Sequence, residues 1–350
     1  DDGERTQTVN ITLKEDKKKG AFGQAQSGYG SENYFGLKGM VNRFNGAQKI
    51  AAYGISANDG MVSLGFEDGE KYGGNSSNMS ISDDGGIYIM SSGSSDGMDS
   101  WSGTYRGNGV PNALNLGASF SDKFKGDKHK LNVNYRRGQM EVENNSTNFI
   151  QNNLPELASI QQSKGFSANE NKSHNANMRY DLKVDSTSDI TVRLGYNTTN
   201  RGNSGFSTST ERSLNEELLN DTRTSNSGNS LNESLNASIM LTKRFKKLRR
   251  SLTLNTSVTN NTTDGTSNYF SNTNFRQLND SLLIDQFKNN VWENTNFNST
   301  LNYTEPLTKY LTATAGYTLG SVSSFTLNQS FNKNEITGNS TFPYRSQCCN

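Results

Sequence analysis

Few residues of this chain have the types and spacing that catalysis or metal binding requires. The two histidines, His129 and His174, and the two adjacent cysteines, Cys348 and Cys349, are too few for a thiolate metal site or a disulfide framework. They also assemble no Ser-His-Asp triad, because His129 falls in a predicted turn and His174 near the start of a predicted strand. We therefore predict no catalytic residue, no metal site and no cofactor, and we do not expect an enzyme.

Acidic residues form small clusters that could in principle hold a cation. They occur at 83–84, at Asp96 and Asp99, and at 216–217. None has the alternating spacing of oxygen ligands that a calcium loop requires. We interpret them as solvated turn residues.

Glycines surround one tyrosine and one arginine in the segment 103–109. A phosphate-binding loop needs such glycines between a strand and a helix, and the sequence predicts no helix here. We therefore predict a flexible hairpin tip.

One basic segment with an interleaved aromatic residue, Lys-Arg-Phe-Lys-Lys-Leu-Arg-Arg, occupies 243–250. The whole chain balances 35 basic against 34 acidic residues, for a net charge of +1, so it lacks the basic footprint of a nucleic-acid-binding protein. A turn that contacts anionic lipid headgroups and a merely solvated turn fit this segment equally well. We predict no nucleic-acid partner.

The composition suits neither an ordinary soluble domain nor a disordered chain. Only 31% of the 350 residues are hydrophobic, yet 9% are aromatic and only four are proline. Disordered chains are usually poor in aromatic residues. No apolar run approaches the roughly 20 residues of a membrane-spanning helix, and no signal peptide opens the sequence, which we interpret as a processed chain or a fragment.

Apolar residues at every second position are the strongest pattern, and they predict β-strands. Each segment is about ten residues long, the length of a tilted strand that crosses a bilayer. In the segment 51–55 we assign Ala51, Tyr53 and Ile55 to the apolar face. The other segments are 35–41, 114–120, 131–135, 176–182, 190–196, 235–241, 252–258, 297–303 and 311–317.

Short and long connections alternate between these segments, which is typical of an outer-membrane barrel with short periplasmic turns and long extracellular loops. A soluble domain rarely contains even one irregular loop beyond about 15 residues. The aromatic residues at the segment ends are consistent with two membrane interfaces: Phe120, Tyr180 and Tyr303 towards the short turns, and Tyr135, Tyr196 and Tyr317 away from them. The predicted short connections are 45–48, 122–128, 183–188, 243–250 and 305–309, and the long ones are 59–112, 138–172, 198–231 and 261–294.

We therefore predict an all-β fold, a transmembrane antiparallel up-and-down β-barrel of which about 11–12 strands are present. A first strand, 21–29, precedes a tight connection at 30–33, and 325–331 is a candidate for a separate late strand. The last residues, 347–350, do not fit a final strand.

Two segments resemble TonB-dependent receptors, most closely the outer-membrane β-barrel proteins of Bacteroidetes-type bacteria. TVNITLKEDKKKG at 8–20, followed by AFGQAQSGYG, is similar to the junction between plug and barrel, and GASFSDKFKGDKHKLNVNYR at 117–136 is similar to a strand, turn and strand of that family. The resemblance implies that 1–19 is the end of the plug with its linker. It implies that 20–350 is part of a barrel of roughly 22 strands.

The resemblance also implies a function, a location and partners. These are uptake of a bulky solute (a siderophore, a glycan or a peptide) across the bacterial outer membrane, contact with outer-membrane lipid, and traction by the TonB complex on an N-terminal region that this sequence lacks. A surface lipoprotein is a further expected partner. Two other functions stay open: a non-transporting barrel that acts as a structural platform or secretion partner, and a secreted β-rich adhesin.

Charged residues on the predicted lumen face are the candidate site. They are Arg136, Arg179, Asp181 and Arg193, on strands that we expect to be adjacent. Two roles fit them: docking of the plug through ion pairs, or an anion-attracting wall for the substrate.

The alternation makes a direct prediction about insertion into a bilayer. Leu254→Arg would place a cation on the lipid face and lower the free energy of unfolding from vesicles by about 2–4 kcal/mol. Asn255→Arg, on the opposite face, would change it little. Urea titration of both variants in lipid vesicles measures the difference, and equal losses would contradict the assignment of faces.

Overall fold

The structure is a computed structural model that describes residues 19–64, 79–81, 87–89, 103–153, 158–333 and 340–349. It contains fourteen strands and one short 3-10 turn, Ser31–Asn33. The strands are β1 Lys19–Tyr29, β2 Phe35–Asn45, β3 Gln48–Ala57, β4 Met79–Ile81, β5 Ile87–Ile89, β6 Val110–Phe124, β7 His129–Asn152, β8 Ser159–Asp185, β9 Ser188–Ser213, β10 Leu218–Arg244, β11 Ser251–Phe275, β12 Asp280–Pro306, β13 Thr312–Lys333 and β14 Ser340–Cys349.

Twelve of these strands form one sheet in the order β1-β2-β3-β6-β7-β8-β9-β10-β11-β12-β13-β14, and β4 pairs with β5 separately. Every neighbouring pair is antiparallel, so the predicted all-β, up-and-down arrangement is confirmed. Strands β1 and β14 are the edges of the sheet as described. Among the described residues, no helix is long and apolar enough to span a membrane.

The register divides the sheet into an apolar face and a polar face. Leu254 lies opposite Leu241 of β10 and Leu301 of β12, whereas Asn255 lies opposite Met240 and Thr300. Large side chains of the apolar face are widely exposed, among them Leu37, Leu116, Leu194, Leu235, Leu301 and Tyr317. The six aromatic residues predicted at the segment ends all share this face by register.

The buried apolar side chains of the described residues lie on the polar face or in the chain packed against it, which corrects one prediction. Ala51, Tyr53 and Ile55, assigned to the apolar face, belong to the polar face and pack there with Met40 and Leu64. The alternation failed in β3 because both of its faces carry small or apolar residues, so period two does not distinguish them. The pairing of Met40 with Tyr53 decides the orientation.

The long extracellular loops predicted at 138–172, 198–231 and 261–294 are wrong. Strands β8 to β12 are 25–27 residues long, and tight tips at 214–217 and 276–279 join β9 to β10 and β11 to β12. Strand β7 extends to Asn152 and β8 begins at Ser159, so both run far into the predicted loop 138–172. Asparagine, serine and threonine suggested loops, but the backbone of polar strands pairs as well as that of apolar ones. The predicted short connections are confirmed at the opposite end of the strands, where turns lie at 46–47, 125–128, 186–187, 245–250 and 307–311.

The C-terminal part also differs from prediction. Residues 325–331 are not a separate strand, because β13 runs without interruption from Thr312 to Lys333. Residues 347–349, predicted not to form a strand, belong to β14, which pairs with β13. The predicted end of the plug, 1–19, lies outside the described residues except for Lys19.

Two isoleucines on opposite faces of β3 test where the core lies. Ile55 is 1% exposed and Ile50 is 40% exposed. Ile55→Ala would lower the free energy of unfolding by about 2–5 kcal/mol, because it leaves a cavity against Tyr53 and Leu64. Ile50→Ala would cost clearly less. Urea unfolding in detergent micelles, followed by circular dichroism, measures both free energies of unfolding. A larger loss for Ile50→Ala than for Ile55→Ala would contradict the assignment of the core to the face of Ile55.

Candidate functional site

A cavity of about 440 Å³ opens on the polar face, along the part of the strands that lies beyond the apolar segments. Its lining is rich in amides and hydroxyls, which both donate and accept hydrogen bonds. Two cross-strand rows contribute to it. One row is Asn171, Arg201, Ser230, Gly265 and Asn290, and the other is Asn169, Asn203, Gly228 and Ser267.

Gly228 lets neighbouring side chains lie across the floor of this cavity. A Cβ atom at this position would meet Asn203 Oδ1 at 2.8 Å and the Ser267 Cβ at 3.3 Å. Any larger residue would therefore displace the Asn203 amide. The amides and hydroxyls of the cavity lining can form hydrogen bonds with a polar solute.

The two ends of the β3–β6 connection, residues 60–64 and 103–105, pack onto the polar face beside this cavity. The backbone amides of Val62 and Ser63 donate to the Gly103 carbonyl at 2.9 and 3.1 Å, and the Tyr105 amide donates to the Gly60 carbonyl at 2.8 Å. Tyr105 and Val62 contact Met140 and Val142 of β7. Within the predicted hairpin tip at 103–109, Gly103 and Tyr105 thus pack against the sheet, whereas residues 106–109 are exposed.

Asn115 of β6 fastens that segment to the sheet. Its Nδ2 donates to the Val62 carbonyl at 3.2 Å, and its Oδ1 accepts from the Tyr53 hydroxyl at 3.1 Å. Asn115 is only 1% exposed, so loss of either bond would leave a buried polar group without that partner. Sequence reasoning missed this role, because Asn115 alternates like every other polar residue of its strand.

Three of the four predicted site residues lie together. Arg179 Nε donates to Asp181 Oδ2 at 2.9 Å, and the Thr191 hydroxyl donates to Asp181 Oδ1 at 2.7 Å. Arg193 lies directly opposite Arg179 in the β8–β9 register. The cluster thus holds two cations and one anion on the polar face.

Arg136 does not join this cluster. It lies opposite Asn175, whereas the β7 residue opposite Arg179 is Asn132. Asn132 and Arg136 are four residues apart, which corresponds to about 13 Å along the strand. Docking of a plug and attraction of an anion both stay predictions for the cluster of Arg179, Asp181 and Arg193.

The remaining sequence candidates contribute no metal centre in the part of the chain that the structure describes, where no three histidine, cysteine or carboxylate side chains come together. Glu216 and Glu217 lie in the β9–β10 tip, and the acidic residues at 83–84, Asp96 and Asp99 lie outside the described residues. The chain matches no family model, no curated protein and no solved structure.

The hydrogen bond from Thr191 to Asp181 can be tested with two matched substitutions. Thr191→Val would lower the free energy of unfolding by about 1–2 kcal/mol, because a carboxylate loses a donor at a site that is 7% exposed. Thr256→Val breaks only a neutral bond to Ser299 on the apolar face and would cost less. Urea unfolding of both variants measures the losses, and equal values would argue against a charge-assisted bond.

Proposed function

We propose that this chain forms part of the β-barrel of a TonB-dependent outer-membrane receptor, which takes up a bulky solute. The proposal rests first on the faces of the sheet and then on the resemblance of the sequence segments at 8–30 and 117–136 to that family.

The observation that carries the proposal is that the apolar face of the sheet stays exposed, while amides of the polar face are buried beside the small apolar core. Val41 and Leu235 of the apolar face are 52% and 49% exposed, whereas the amides Asn42 and Asn115 of the polar face are each 1% exposed. In water, such a continuous exposed apolar band would promote aggregation. In a bilayer the band would contact acyl chains, and the polar face would line a wet interior.

Closure of the sheet is part of the proposal. Strands β1 and β14 present unpaired backbone groups at the edges of the described sheet, and hydrocarbon cannot satisfy such groups. We therefore expect a closed barrel, to which these twelve strands contribute about half, as the resemblance implies.

Solute binding is assigned to the polar face beyond the apolar band. There the cavity floored by Gly228 offers amide and hydroxyl groups to a polar ligand. The cluster of Arg179, Asp181 and Arg193 lies nearer the short turns and would contact the plug. Traction by TonB on that plug would then release the solute inward.

The complete gene product tests this function in a Gram-negative host. We expect it in the outer-membrane fraction of a density gradient, and we expect immobilised periplasmic domain of TonB to retain it. Residues 1–350 alone are the control, because by the resemblance they lack the segment that TonB binds. A complete product that reaches the outer membrane but is not retained would indicate a non-transporting barrel. A product secreted in soluble form would indicate an adhesin.

A further inference from the structure

Two neighbouring turns at the short-turn end of the sheet combine exposed cations with exposed apolar side chains. The β10–β11 turn contains Leu248, which is 81% exposed, and the β12–β13 turn contains Tyr310, which is 97% exposed. The Arg249 Nη1 donates to the Lys309 carbonyl at 3.1 Å and so joins the two turns. We call the following residues the turn patch: Lys246, Leu248, Arg249, Leu307, Lys309 and Tyr310.

The three cations of the patch are the ones in these turns that form no ion pair with a surrounding carboxylate that the structure describes. Segment 243–250 contains six cations, and four of them pair with three carboxylates. Lys246, Arg249 and Lys309 form no ion pair with any carboxylate of the described residues. The four pairs are Lys243–Asp185, Arg244–Asp189, Lys247–Glu305 and Arg250–Glu305.

Glu305 has no remaining capacity to neutralise the patch. It accepts from Arg250 Nε and Nη2 at 2.6 and 2.8 Å, from Lys247 Nζ at 2.5 Å and from the Tyr303 hydroxyl at 2.7 Å. The hydrogen bonds from Arg250 and Lys247 hold the pKa of the Glu305 carboxyl well below its usual range. It therefore stays ionised and committed to those partners.

The backbone holds both turns in fixed shapes. The Phe245 amide donates to the Arg250 carbonyl at 3.0 Å and the Leu307 amide to the Leu311 carbonyl at 2.9 Å. The Thr308 hydroxyl accepts from the Leu311 amide at 3.0 Å. Closed turns present their side chains with little further loss of conformational entropy on binding.

We propose that the turn patch binds the anionic phosphate headgroups of phospholipids in the leaflet at the short-turn end. The patch is continuous with the apolar face through Tyr303, whose ring lies 6.5 Å from that of Phe245 in an edge-on contact. Leu248, Leu307 and Tyr310 enter the interface between headgroups and acyl chains. The three patch cations, which form no ion pair among the described residues, contact phosphate oxygens. This inference rests on the proposed membrane location.

The test compares lipid retention by three forms of the complete gene product, each folded into vesicles of phosphatidylcholine with and without phosphatidylglycerol. One form is unchanged, and one carries Lys246→Gln, Arg249→Gln and Lys309→Gln. The control carries Lys164→Gln, Arg212→Gln and Arg223→Gln, exposed cations towards the other end of the strands. Arg212 is matched to Arg249, since it also donates to a backbone carbonyl in a turn, that of Glu216.

Native mass spectrometry after detergent extraction reports the ratio of retained phosphatidylglycerol to phosphatidylcholine. We expect this ratio to exceed that of the vesicle for the unchanged chain and the control, and to fall about tenfold for the turn-patch variant. Higher salt would lower the enrichment, since exposed charges are screened.

Two results would overturn the inference in different ways. Insertion of all three forms with the same lipid ratio would remove phospholipid phosphate as the ligand of the patch and leave the membrane location standing. Failure of the unchanged complete gene product to insert into either kind of vesicle would overturn the proposed membrane location, and the lipid site with it.

Discussion

Backbone pairing between successive strands is the interaction on which the rest of this structure depends. Each of the twelve strands of the main sheet pairs with the strands that precede and follow it in the chain, apart from β4 and β5. The apolar core is small. Paired strands satisfy the amide and carbonyl groups of long segments that carry few apolar side chains. They also set the register that places Leu254 on one face and Asn255 on the other.

Polar side chains add to this pairing beyond the apolar band. Thr263 donates to Asn232 across β10 and β11 at 2.8 Å, and Asn260 donates to Thr295 across β11 and β12 at 2.8 Å. Such cross-strand pairs each contribute modestly and stabilise the sheet together. They explain how a chain with a mean hydropathy of −0.80 forms strands of up to 27 residues.

The small apolar core has a positional role. It lies where Val62, Leu64 and Tyr105 pack against β3, β6 and β7, so it folds one connection onto the polar face. Asn115 completes this packing by bonding to both the sheet and the connection. This connection thus covers part of the polar face near β3. The cavity lined by amides lies on the polar face of β8 to β11.

Period two in the sequence was sufficient for the strand class, for the confirmed short turns and for the faces of β2 and of β6 to β12, because adjacent side chains of a strand point to opposite sides. It was not sufficient to assign the faces of β3, where both faces carry small or apolar residues such as Ala51 and Ala52. It was also not sufficient to predict the full length of the long strands, because both of their faces carry polar residues there. Pairing between strands decided these features. It places Met40 opposite Tyr53, separates Arg136 from Arg179, and extends β8 back to its first residue, Ser159. Register depends on hydrogen bonds between residues far apart in the chain, and a local pattern of side chains carries no information about such partners.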